Sequence, residues 1–120
     1  MGKINLDEIK RKYIDAAILQ KQSSINGDYK TANKQYDVLK KIFDKIQGGH
    51  VSMDVLIELL EHENDIVKAC AAANLLALNY EITKAEQELA RIASVHSSDM
   101  IGFSAEMCLK IWKEQGYLKF

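Results

Sequence analysis

The sequence predicts an all-α fold, a short α-solenoid of about six helices arranged in antiparallel pairs. Three observations carry this expectation. Apolar residues recur at spacings of three and four along nearly the whole 120-residue chain, which gathers them on one face of a helix. Glycines and small polar caps punctuate these stretches in the complete absence of proline. The second half of the chain also carries one helical pattern twice, 34 residues apart.

The first helix is expected to begin after Asn5, with Glu8 three residues beyond it as a capping box. Its stripe is Leu6, Ile9, Tyr13 and Ala17, widened by Ile14 and Ile18. It fades in QSSINGD, where Asp28 can cap the second helix. That helix carries Tyr29, Ala32, Tyr36, Leu39, Phe43 and Ile46 on one face. On its wet side, Asp37 with Lys41 and Lys40 with Asp44 stand four apart and can pair. Gly48 and Gly49 end it. Ser52 is the expected cap of a short third helix, and Asn64 or Asp65 that of a fourth. Thr83, boxed with Glu86, is expected to cap a fifth with Ala85, Leu89, Ile92 and His96 on its stripe. Ser98 is expected to cap a sixth, ending near Gly116. Connections this short make consecutive helices antiparallel neighbours.

The repeat pairs Val67 with Ile101, Ala71 with Ala105, and Leu75 with Leu109. The helix ahead of each copy ends in a histidine, His62 and His96, again 34 apart. Ala69, Ala71, Ala72 and Ala73 make sense only where two helix backbones lie close together. The expected organisation is one domain over 1–120: an N-terminal helix pair at 1–49 and two helical repeats at 50–80 and 81–116.

The run LIELLEHENDIVKACAAANLLAL resembles a HEAT repeat, with Asn64 in the turn and Lys68 at the position where arginine is common. The second copy departs from that pattern, because Gly102 stands in place of the basic residue. The layout as a whole, with YDVLKKIFDKI, LLEHEN and SAEMCLKIW, resembles a small bacterial family of HEAT-like proteins that have no assigned activity. The resemblance implies a helical binding scaffold. Some HEAT-like proteins of this size are similar to immunity proteins that neutralise a toxin.

Composition narrows the function classes. Lys and Arg number 16 and Asp and Glu 17, for a formal net charge of −1. The charge is divided: residues 1–49 hold 10 basic and 6 acidic side chains, and residues 50–120 hold 6 and 11. A basic end and an acidic end can steer a protein partner. Near-neutral total charge argues against nucleic acid. No apolar run reaches membrane-spanning length, and no signal core opens the chain, so a cytoplasmic protein with no membrane association is expected. Cys70 and Cys108 lie in apolar helical patterns without a CxxC motif, as buried thiols in a reducing compartment would.

Chemistry-bearing motifs are sparse. The consecutive Glu61, His62 and Glu63 suggest a metal site, but Ile66 stands where HExxH needs its second histidine. His62 and His96 could meet across stacked repeats. The reading favoured here is that each, as a cation, closes a helix C-terminus. His50 after Gly48–Gly49 reads as a surface linker rather than a phosphate cradle. Trp112 reads as partly buried core, with Glu106 and Lys110 paired beside it on the solvent side. No catalytic, cofactor or metal residues are assigned, and the expectation is that the protein is not an enzyme.

The expected function is non-catalytic binding of another protein, in one form by an immunity protein that blocks a toxin. The residues expected to carry it are Tyr13, Tyr29, Tyr36, Asp54, Glu58, Glu61, His62, Glu63, Asp65 and His96. Two other classes stay open. One is a nucleic-acid-related protein or enzyme acting through a concave helical face, and the other is a homo-oligomeric structural protein.

Overall fold

A computed structural model of the chain describes residues 5–120. It is all-helical: α1 Leu6–Ile25, α2 Tyr29–Gln47, α3 Asp54–Leu59, α4 Asp65–Ala77, α5 Ile82–Val95 and α6 Met100–Gln115, with no strand among the described residues. The chain divides into two compact units, Met1–Val55 and Leu56–Phe120.

In the first unit α1 and α2 pack against each other. Asn5 Oδ1 accepts from Glu8 N–H at 3.1 Å, and Asp28 Oδ1 accepts from Thr31 N–H at 3.3 Å, so both expected caps form. Tyr13, Ala16 and Ala17 of α1 meet Ala32, Leu39, Ile42, Phe43 and Ile46 of α2 as the buried side chains of this pair. Each large apolar side chain among them stabilises the unit by roughly 1.5–3 kcal/mol through burial. The α2 stripe is narrower than expected. Tyr29 is 66% exposed and Tyr36 37% exposed, while Ile42 takes a core place. Gly49, at φ 82, supplies the left-handed step that ends α2. Val51 and Val55 then turn inward and are buried.

In the second unit α5 packs against both α4 and α6, and α4 touches α6. Val67, Ala71, Ala72 and Leu75 of α4 are completely buried, as are Ala85 and Ile92 of α5. The alanines let the helix backbones approach, and the larger side chains fill the space behind them. Of the three apolar anchors in the second copy, only Ala105 is buried, while Ile101 and Leu109 are half-buried.

Two helix starts differ from expectation. α5 begins at Ile82, and Thr83 lies inside it. Its N-cap is Glu81, in the left-handed conformation and without a side-chain capping bond. The reason lies just upstream. Asn79 at φ 56 ends α4, with Tyr80 N–H bonded to Leu75 O at 3.0 Å, and this closing turn carries the chain into α5 without room for a separate cap. α6 is capped by Asp99 rather than Ser98: Oδ1 accepts from Ile101 N–H at 2.8 Å and Gly102 N–H at 3.1 Å. A carboxylate has a second oxygen for another partner, which a serine lacks.

Candidate functional site

Two constellations of polar side chains stand out, one in each unit. The second unit holds a chain of ionic contacts. Lys68 Nζ lies 3.4 Å from Glu88 Oε1, and Arg91 donates to the same oxygen from Nε at 3.2 Å and from Nη2 at 3.1 Å. Arg91 Nη2 also donates to Asp65 Oδ1 at 2.7 Å. The other oxygen of Asp65 lies 2.9 Å from His96 Nε2, and His96 Nδ1 lies 2.9 Å from Asp99 Oδ2. The elements dictate this meeting. Asp65 opens α4, His96 closes α5 and Asp99 caps α6.

The electrostatics follow the geometry. The hydrogen bonds that Asp99 and then Asp65 accept from the ring hold the His96 proton more firmly than usual, raising its pKa above 6.5. Arg91, aided by His96, holds the Asp65 carboxyl below its ordinary range. His96 does the same for Asp99, helped by the Gly102 and Ile101 amides. Arg91 is raised in turn, by Asp65 first and Glu88 second. When protonated, His96 donates to a carboxylate from each ring nitrogen. In that state neither ring nitrogen has a lone pair left to accept a proton.

His62 behaves differently from its repeat equivalent. Its Nδ1 accepts from Asn64 N–H at 3.0 Å, a bond within the turn between α3 and α4. The ring of His96 is bonded to Asp65 and Asp99 and not to His62. Among the described residues no group of three His, Cys, Asp or Glu side chains is arranged to hold a metal.

The remaining candidate residues scatter. Tyr13 is fully buried and is part of the α1–α2 core, so it cannot anchor a partner. Tyr29 and Tyr36 are exposed on α2. Asp54, Glu58, Glu61 and Glu63 are exposed, whereas Asp65 is held in the ionic chain. Among the candidates, Asp65 and His96 are brought into direct contact, and the 34-residue register also relates Asp65 to Asp99.

The second constellation was not singled out from the sequence. A groove of about 470 Å³ runs beside α1 and α2 in the first unit. Ala16, Ile42 and Val51 form its apolar floor, with Ile9 and Val38 beside them. Lys12, Lys41 and Lys45 stand around it, against one acid, Asp15. Lys40 pairs with Asp44 at 2.9 Å as expected, but the expected Asp37–Lys41 pair does not form. Neither Lys41 nor Lys45 has an ion-pair partner among the described residues. The sequence signal was available: Lys41 and Lys45 are four apart, and Val38 and Ile42 share their side of α2.

No protein-family model and no curated protein matches the sequence. Among solved structures, the chain is similar to the crystal structure of the protein RPA1889 from Rhodopseudomonas palustris CGA009. The two share 20% identity at a TM-score of 0.79, over 98% of this chain and 96% of that one. At this identity the likeness establishes a common helical fold along almost the full length. In the chain itself, no helix among the described residues is long and apolar enough to cross a membrane.

Proposed function

We propose that this protein is a non-catalytic, cytoplasmic protein-binding module built from HEAT-like antiparallel helix pairs, and that it holds an acidic, amphipathic segment of a partner in the α1–α2 groove. The groove carries this reading. Its apolar floor suits the apolar face of a partner helix, and Lys41 and Lys45 offer charge that no ion pair among the described residues neutralises. The repeat reading is supported by the 34-residue register and by the burial of Val67, Ala71, Leu75 and Ala105. The non-catalytic reading is supported by His96, whose two nitrogens are already engaged. An immunity protein that blocks a toxin is the particular form in which the bound segment belongs to that toxin.

The test is a titration with fluorescent acidic amphipathic peptides, with Lys41→Glu/Lys45→Glu as the control. The reading expects saturable binding that weakens on the order of tenfold or more in the double variant and falls with added salt. Binding indifferent to the two lysines would sink it. Stoichiometric retention of a fatty acid in the groove, displaced by no acidic peptide, would assign the groove to a small anionic ligand instead.

A further inference from the structure

The sixth helix is apolar on two sides. Gly102, Ala105 and Trp112 lie on its buried side. On the other side Met100 is 52% exposed, Phe103 55% and Ile111 40%, with Met107 half-buried between them. At 100° per residue these four fall within one outward stripe of three turns. Val95, at the end of α5, is another large apolar residue left open, at 64%. A contiguous face of methionine and aromatic side chains of this kind marks a docking surface rather than ordinary scatter.

The charges beside the stripe identify the occupant. Glu106 and Lys110 run along one edge, four residues apart. Such a pair is well placed to bridge within its own helix, yet neither side chain has an ion-pair partner among the described residues. When a helix is turned end for end about its midpoint, the same edge faces itself in reverse order. Lys110 of one copy then faces Glu106 of the other, and Glu106 faces Lys110. The same two-fold axis, passing near Met107, sets Phe103 of one copy beside Ile111 of the other and brings the two Met107 side chains together. A two-fold interface requires this kind of self-complementary patch.

We infer that the outward face of α6, with Met100, Phe103, Met107 and Ile111 as its apolar seam and Glu106 and Lys110 as its charged edge, pairs antiparallel with the same face of a second copy of this chain. This surface lies in the second unit and shares no residue with the lysine-rimmed groove of the first.

Sedimentation equilibrium of the intact chain, over a concentration range from about 5 to about 200 µM, tests this by mass action. The wild type is expected to be dimeric at the upper end, and Phe103→Glu monomeric throughout with an unchanged helical circular-dichroism spectrum. Glu106→Lys and Lys110→Glu each place like charges across the axis and are expected to weaken the dimer on the order of tenfold. The double variant Glu106→Lys/Lys110→Glu restores opposite charges and is expected to recover the wild-type dimer. A wild type that stays monomeric at the highest concentration overturns the inference. So does a dimer that ignores Phe103→Glu, or a double variant as weak as the two single ones. Lys41→Glu/Lys45→Glu is expected to leave the dimer intact, which separates failure here from failure of the groove.

Discussion

His96 Nε2 lies 2.9 Å from Asp65 Oδ2, and this contact ties the C-terminal end of α5 to the first turn of α4. Asp99 holds the other ring nitrogen at the start of α6, so one imidazole joins three helix ends. Arg91 is the further charge against Asp65, from within α5.

The pH dependence follows from the signs of the shifts. His96 is raised above 6.5, so its contribution is complete below the unfolded value and is lost as pH rises through the folded one. Asp65 and Asp99 are lowered below 3.8, so their contributions are complete above that value and are lost as pH falls through the folded ones. All three act together between the unfolded carboxylate and histidine values. Urea midpoints measured from pH 5.5 to pH 8.5 are therefore expected to decline on the alkaline side, about the unfolded histidine pKa of roughly 6.5 and above. His96→Gln is expected to remove that slope and to cost about 1 kcal/mol at pH 5.5, a modest figure because the cluster is partly open to solvent. An unchanged slope in His96→Gln would show that another group titrates.

Gly102 is the residue that departs from the HEAT-like pattern, and the structure explains why a side chain is missing there. A Cβ at this position would overlap the backbone carbonyl of His96. The first turn of α6 lies against the end of α5, which is also how Asp99 reaches His96. Gly102→Ala is expected to cost on the order of 2–3 kcal/mol, because backbone on both sides must move. Gly48→Ala makes the comparison: its Cβ would lie 3.2 Å from Asp44 O and 3.3 Å from the His50 ring, a tight but adjustable fit at negative φ. A smaller thermal shift in Gly102→Ala than in Gly48→Ala would refute this account.

Helical periodicity made the helices legible, as Ala85, Leu89 and Ile92 illustrate by all becoming core. Asn5, Asp28, Ser52 and Asn64 were readable as caps, because a short polar side chain before an apolar stripe has a local partner. The failures arise where a distant partner decides. Ser98 is locally as good a cap as Asp99, but Asp99 alone can cap α6 and hold His96 at once. Tyr13 and Tyr29 look alike in a helical stripe, yet one, in the middle of α1, is fully buried and the other, the first residue of α2, is two-thirds exposed. The groove was hidden for a similar reason: whether Lys41 bridges to Asp37 depends on side-chain directions that spacing alone leaves open.

Glu86 was expected in a capping box with Thr83, but its Oε2 accepts from Trp112 Nε1–H at 2.8 Å instead. The bond joins α5 to α6 and satisfies the indole of a tryptophan that is 8% exposed. Trp112→Phe keeps most of the apolar burial and loses the donor, so about 1–2 kcal/mol is expected from a charge-assisted hydrogen bond. In a double-mutant cycle with Glu86→Gln, the two losses should be markedly less than additive. Additive losses in urea titrations would show that the bond contributes nothing in solution.

Glu81 sits at φ 52, a left-handed position costly for a residue with a Cβ, and it provides no capping bond in return. Glu81→Gly removes the steric cost while adding flexibility to the unfolded chain. The net expectation is a gain of roughly 0.5 kcal/mol, read as a higher thermal midpoint. A lower midpoint would mean that the carboxylate contributes at the start of α5 by a route other than capping.

Cys108 lies on α6 with a half-buried side chain, and burial pushes its thiol up to about 11. The thiolate is the reactive form, and at pH 8 it is then on the order of one part in a thousand of the thiol. Iodoacetamide at pH 8 is therefore expected to label Cys108 at least tenfold more slowly in the folded protein than in urea, where the thiol regains an ordinary pKa of about 8.5. Peptide mass mapping separates this site from Cys70. If the α6 faces pair as inferred, labelling at Cys108 should remain slow even in the monomeric Phe103→Glu variant, because the shift arises from burial within the chain. Fast labelling in that variant would place the protection at the interface between copies instead.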